Sequence, residues 1–275
     1  MRAITAILFR NLTAFSRDKM RFFFTLFMSG FFLFIFSFVM KAAATGIAAP
    51  MNYLISGIII MTVFQSALNN SMNIIEDVAS GFMKEIMVAL IARWQISLGQ
   101  IASATAISVL QGMLIVIIGL FIGLNLDLRH FIEMAGVMLI VGVTFASIGL
   151  YLATLSKNSS TFQVMISVIA MPLTFLSGAY IPTTVLPGFL RPIVYLNPLT
   201  YTTSAFRSIA LEMDGMTEAA MIHNGVAFDL GGYIVTPQLA LMIVVLIGLL
   251  FFSLCVQRFN RADFSQVKVF HRRHR

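Results

Sequence analysis

The 275-residue sequence predicts an all-α, polytopic membrane fold with six transmembrane helices, an N-terminal interfacial helix, and short re-entrant outer helices between spans five and six. Three observations carry that prediction. Apolar residues make up 59% of the chain and Asp, Glu, Lys and Arg only 11%, against about 25% charged residues in a soluble domain. Cutting the chain at its charged residues leaves six uncharged stretches, 22–40, 42–75, 94–126, 134–156, 158–190 and 230–257, and about 20 residues of helix cross a bilayer. Of the 18 Lys/Arg, 14 fall in segments 1–21, 76–93, 157 and 258–275, which share one side when spans are counted off. The positive-inside rule then places both termini in the cytoplasm of a multi-pass plasma-membrane protein. A soluble enzyme is excluded, and so is an outer-membrane barrel, whose strands alternate apolar and polar residues. The net charge of +7 flanks the spans, so it matches anionic lipid headgroups and not nucleic acid.

Residues 1–21 form the first unit. On a helix Ile4, Ile7, Leu8, Leu12 and Phe15 share one face and Arg10 and Arg17 the other, the pattern of a helix lying in the membrane interface. Span one starts near Phe22 and ends at Lys41, with no small-residue cleavage site after it. Span two is expected in the later part of 51–75. Its last turns carry Gln65, Asn69, Asn70 and Asn73, amides that either bind neighbouring helices or line a wet pathway.

Segment 76–93 is helical in pattern but too short and too charged to span. Trp94 beside Arg93 reads as an interfacial anchor for span three. That span carries Gly119 and Gly123, four apart as in helix-packing motifs. Span four is expected over 134–156, Lys157 to Ser160 as a tight turn, and span five from Thr161. Beyond Met171 five of the seven prolines fall within 27 residues, a density that predicts the end of regular helix. Residues 183–213 remain apolar, so short helices dipping into the outer leaflet are expected, because irregular backbone at membrane depth must be buried or line water. An exposed acidic loop at 212–231 and span six at 234–257 complete the order.

Ser177 to Pro182, Leu186 to Leu190, and Asn197-Pro198-Leu199-Thr200-Tyr201 with Arg207 resemble the C-terminal signature of type-two ABC exporter permeases. Upstream, Glu76-Asp77, Gly81, Lys84-Glu85 and Met87 to Arg93 are similar to that family's cytoplasmic loop between spans two and three, although Leu90 stands where many relatives have proline. The resemblance covers nearly the whole chain, and among relatives it is strongest to compact drug and antibiotic exporters. It implies a permease domain at 22–257, with a coupling loop at 76–93, an extracytoplasmic loop at 182–231, and a basic tail at 258–275. Under it Glu76, Asp77, Gly81, Phe82, Met83, Lys84, Glu85 and Ile86 seat the loop in an ATPase, with Phe82, Met83 and Ile86 as apolar contacts. Gly178, Pro182, Pro187, Asn197, Pro198, Tyr201 and Arg207 form an outer gate, with Asn197 also placed to cap the helix after it. Gln65, Asn69, Asn70 and Asn73 become pathway candidates.

The implied partners are a cytoplasmic ABC ATPase subunit, a second permease copy and membrane lipid. No P-loop sequence is present and no Gly-Lys pair occurs, so ATP and magnesium are expected in the ATPase subunit and no cofactor in this chain. The four histidines lie in loops or the tail without metal-ligand spacing. The uncharged stretches offer no ionisable site for a coupling ion, which disfavours a proton- or ion-driven carrier. The expected function is export of a drug, antibiotic or antimicrobial peptide. Export of lipid-linked glycan or sodium, and a non-transporting immunity or sensor role, are the alternatives.

Overall fold

The computed structural model describes residues 2–42, 50–88, 91–122, 124, 127–180, 183, 186–213, 216–229 and 233–261. Six helices in it are long and apolar enough to cross a membrane, each containing or forming a window of 18 or more residues. They lie in α2 (Lys19–Ala42), α3 (Pro50–Asn70) with its continuation α4 (Asn73–Ala79), α6 (Arg93–Ile122), α7 (Leu128–Leu155), α8 (Ser159–Leu176) and α12 (Pro237–Arg261). Shorter elements fill the gaps: α1 (Arg2–Arg17), α5 (Phe82–Val88), α9 (Arg191–Leu196), α10 (Pro198–Ala210) and α11 (Glu218–His223). A two-residue antiparallel ladder, Phe228–Asp229 with Ile234–Val235, is the departure from all-helical structure among the described residues.

The core is built around α3, whose residues from Tyr53 to Phe64 are buried on every side, as befits a helix that is apolar all round. Helices α6 and α7 pack against it, and α12 packs along α7. At the other extreme only 6% of the α2 span is buried, and 17% of α8. Asp18 alone separates α1 from α2, its carboxylate accepting from the Arg21 backbone N–H at 3.0 Å. Helix α1 lies on the first half of α6, with Ile7 seated over Gly99, where a Cβ would come within 3.0 Å of the Ile7 side chain.

Several expectations change. Span two fills residues from Pro50 onward, not the later part of 51–75, because proline suits a first helical turn. The described part of 76–92 holds the end of α4 and the whole of α5, not one helix, broken at Gly81 with φ +84°, a conformation glycine adopts without Cβ strain. Span four begins at Leu128, six residues early, where the Asp127 carboxylate caps the helix by accepting from Leu128 N–H at 2.9 Å. Helix α8 runs through Pro172 to Leu176, since spanning helices tolerate proline when neighbours satisfy the freed backbone. The described part of 212–231 is folded onto the bundle: Met213, Asn224, Val226, Ala227 and Phe228 are buried. Gly119 packs inside the chain, against Ile55 and Leu124. Leu90, Gly123, Pro182 and the tail at 262–275 lie outside the described residues, as does the Lys84 side chain.

Candidate functional site

A groove of about 480 Å³ runs between α2, α3 and α8. One wall is aromatic and thioether: Phe24, Met28, Phe32 and Met61. The other is polar, with Gln65, Asn69 and Asn73 brought together along one face of α3 and α4, and with Gln111 and Gln163 from α6 and α8. Asn70, the fourth amide expected there, is buried instead, donating to the Ser66 carbonyl at 2.8 Å and accepting from the Arg21 guanidinium at 3.0 Å. Beyond Arg21, single hydrogen bonds tie α2 to its neighbours across the groove: Ser29 to Thr62 at 3.0 Å, and Gln111 to Thr25 at 3.1 Å. Toward the end bearing Gly178, Tyr180 lines this groove and a second one of about 330 Å³ that shares Gln65, Asn69 and Gln163. The Tyr180 ring stacks on Phe36 at 4.7 Å and Phe32 at 5.6 Å.

Beside Tyr180 lies a clamp. Arg207 is 1% exposed, and its Nη2 donates to the Gly178 and Ala179 carbonyls at 3.1 and 3.2 Å while Nη1 reaches Gly225 O at 3.4 Å. The guanidinium lies 3.5 Å from the Tyr53 ring centroid, and the Tyr53 hydroxyl donates to Gly178 O at 2.7 Å. A buried cation thus takes carbonyls and an aromatic face as partners in place of a carboxylate. The approach needs Gly57, because a Cβ there would stand 2.1 Å from Ala179 O.

The neighbouring motif residues are structural in their contacts. Asn197 caps α10, its Oδ1 accepting from Leu199 N–H at 2.9 Å and its Nδ2 donating to Leu173 O at 2.8 Å. Pro198 opens α10, and Pro187 precedes the short 3-10 turn Gly188–Leu190. Tyr201 donates to Tyr195 O at 2.6 Å, and Phe228 packs edge-on against it. Arg207, expected as part of an outer gate, has a side chain that is wholly internal.

At the opposite end, near the termini, the coupling segment also faces inward more than its sequence suggests. Met83 is 1% and Ile86 7% exposed, and Asp77 is 8% exposed. These three are packed within the chain, where they cannot also be surface contacts for another subunit. Phe82 is half-buried under the Arg10 guanidinium, 4.5 Å from its ring centroid. Among the described side chains of α4, α5 and the link between them, the exposed ones are Glu76, Ala79, Ser80, Glu85 and Val88. Sequence reasoning missed Tyr180, Gln111 and Gln163 as groove residues and Arg10 and Gln100 as partners of Asp77. The amides had a signal, being polar residues inside apolar stretches, as Gln65 is.

The family model for ABC-2 type transporters matches residues 2–211, nearly all of the architecture described above. The chain belongs to the ABC-2 type transporter family. This permease is a multi-pass membrane protein and a membrane subunit of an ABC transporter. It is 29% identical over 202 residues to ycf38 of Cyanophora paradoxa, named a candidate transport permease, covering 72% of this chain and 67% of that one. It is 27% identical over 165 residues to the inner membrane transport permease YadH of Escherichia coli K12, covering 57% and 61%. It is 24% identical over 148 residues to YbhR of the same strain, named a candidate multidrug ABC transporter permease, covering 52% and 39%. The permease thus spans about two thirds or less of the length of these curated relatives.

Proposed function

We infer that this permease exports a hydrophobic or amphipathic compound of the drug, antibiotic or antimicrobial-peptide class, driven by ATP hydrolysis in a separate cytoplasmic ABC ATPase subunit that binds the ATP and magnesium. The reading takes both termini and the α4–α5 pair as cytoplasmic, the α9–α10 end as exterior, and the plasma membrane as its site. A second permease copy completes the assembly. One observation carries the choice of substrate: a groove of about 480 Å³ in the spanning bundle, with one aromatic and thioether wall and one amide wall. That volume lies within the usual range for small-molecule sites, and methionine and phenylalanine adapt to varied apolar shapes. Polar side chains at membrane depth mark pathways in proteins of this kind. Under this reading Tyr180 and the Gly178, Pro182, Pro187, Asn197, Pro198, Tyr201 and Arg207 set form the outer closure, and the exposed Glu76, Glu85 and Val88 meet the ATPase.

The test is transport by the purified permease–ATPase complex in vesicles, with a lipophilic rhodamine dye as probe. ATP-dependent dye accumulation is expected, falling several-fold in Gln65→Leu/Asn69→Leu, since each lost intramembrane polar contact is worth about 0.6 to 2 kcal/mol. ATP turnover with no effect on dye distribution, across a panel of lipophilic dyes, would remove the reading.

A further inference from the structure

A closed ring of hydrogen bonds joins three elements at the end of the bundle bearing the N-terminus, and a ring contact adds a fourth. Asp77 Oδ2 accepts from Arg10 Nη2 at 2.6 Å and from Gln100 Nε2 at 2.9 Å. Gln100 Oε1 accepts from Asn11 Nδ2 at 2.9 Å, and that nitrogen also donates to Ser103 Oγ at 2.8 Å. Asn11 Oδ1 closes the ring by accepting from Arg10 Nε and Nη2 at 3.1 and 2.8 Å. Both amides use donor and acceptor together, so each has one orientation that satisfies the ring. With Phe82 beneath the Arg10 guanidinium, the ring spans α1, α4, α5 and the start of α6.

Pulling α1 away from α4 would strand a carboxylate whose side chain is 11% exposed, and an unpaired buried charge is strongly unfavourable. Moving the elements together breaks none of these bonds. Helix α1 in turn runs into α2 across the single residue Asp18, and α2 is the loosely held wall of the groove. A mechanical route therefore leads from α4 and α5, through the ring, to α1 and on to α2.

We propose that ATP-driven displacement of the α4–α5 pair reaches the transport groove through α1, with Arg10 and Asp77 as positioning residues that lock α1 to α4 so that α2 is swung by its own N-terminal helix. This rests on the reading of α4–α5 as the part that meets the ATPase. The ring turns Asp77 from a contact for another subunit into an internal linchpin, and it gives the N-terminal helix a role beyond lying on the membrane.

The test uses spin-label distances in the whole permease–ATPase complex, on a Cys255→Ala background, nucleotide-free and vanadate-trapped. Labels replace four exposed residues: Phe9 on α1, Phe34 on α2, Ala79 on α4 and Leu128 at the far end of α7. The Ala79–Leu128 and Phe34–Leu128 distances are expected to change on trapping while Phe9–Ala79 stays constant. In Asp77→Asn and Arg10→Gln, Ala79–Leu128 still changes but the Phe34–Leu128 change falls to less than half, and transport per ATP falls about ten-fold, as for loss of a charged hydrogen bond. Arg10→Lys, which keeps the charge, restores part of both. A Phe9–Ala79 distance that changes in the complex with Arg10 and Asp77 intact overturns the proposal whether or not the variants fold, and so does a full Phe34–Leu128 change in folded Asp77→Asn. An Ala79–Leu128 distance that never moves while ATP is turned over defeats the underlying reading of α4–α5 instead, and the proposal with it.

Discussion

Replacing Arg207 by Ala removes the clamp beside Tyr180, and the cost can be worked from its contacts. Two donations, to Gly178 and Ala179 carbonyls at 3.1 and 3.2 Å, are well placed, each worth about 1.5–3 kcal/mol for a charged donor. The Tyr53 face at 3.5 Å adds about 2 kcal/mol in a desolvated setting. Against these stand the desolvation of the guanidinium, several kcal/mol, and Nε, which is buried without a partner at a cost of about 1–3 kcal/mol. The Ala variant is relieved of both costs, but it loses the donations and the aromatic contact and adds a void and carbonyls stripped of their donor. A net destabilisation of about 3–5 kcal/mol follows, the range for truncating a large buried side chain to Ala. At about 2–4 °C per kcal/mol, the temperature of half-loss of the monodisperse peak after heating in detergent should fall by at least about 6 °C. Arg207→Lys keeps the charge but not the fork, so it should fall between Ala and the parent. Tyr53→Phe loses one hydroxyl donation at 2.7 Å, worth about 1 kcal/mol, and should shift the midpoint least. Ala and Lys variants both within about 1 °C of the parent would refute the view that Arg207 holds this end together.

The glycine contacts make an internally controlled pair. Gly57→Ala puts a Cβ at 2.1 Å from Ala179 O and should abolish folded yield, while Gly30→Ala meets nothing within 4 Å and should leave yield unchanged. Asn197→Ala loses both the cap and the bond to Leu173 O, about 1–3 kcal/mol in all, and Asn197→Asp should recover the cap alone; heating curves rank the three. Topology reporters fused after Arg275 and at Glu85 should give cytoplasmic signals and one at Gly215 an exterior signal, and a cytoplasmic signal at Gly215 would reverse the assigned sides of α10.

Much of the helical order was legible because apolar length is a one-dimensional property. A stretch such as 94–126 needs no partner to declare itself, and its helix runs from Arg93 to Ile122. Caps were legible too: Asn197 before Pro198 specifies a helix start through local geometry alone. What escaped was decided by pairing across the bundle. Asp77 and Met83 read as surface residues of a charged loop, since nothing nearby in sequence shows that Arg10 and Gln100, 67 and 23 positions away, would turn Asp77 inward. Asn70 and Asn69 are adjacent and chemically identical, yet one binds Arg21 and Ser66 and the other faces the groove. Helical rotation of about 100° per residue separates their fates, and only the packed neighbours fix its phase.

The contacts of α3 and α2 also differ in a way that sets the freedom of the groove's walls. Helix α3 is held at both ends: Tyr53 near its start lies under Arg207, and Asn70 at its end accepts from Arg21 of α2. Between those points it is packed on every side, so moving it would open the core. Helix α2 is pinned to α3 near its own start by that Arg21–Asn70 bond, and beyond it is tied across the groove by the Ser29–Thr62 and Thr25–Gln111 hydrogen bonds, each of about 0.6 kcal/mol in a membrane. The stacks of Phe32 and Phe36 on Tyr180 add about 0.5–1.5 kcal/mol each. Beyond Arg21 the ties of α2 therefore amount to about 2–4 kcal/mol, while α3 is held by burial along its length. A force applied to this bundle therefore shifts the part of α2 beyond Arg21 before α3. Because the stacking partner is Tyr180, the same displacement that widens the groove also unseats the ring beside the Arg207 clamp, which couples groove width to the outer closure through two phenylalanines on one helix.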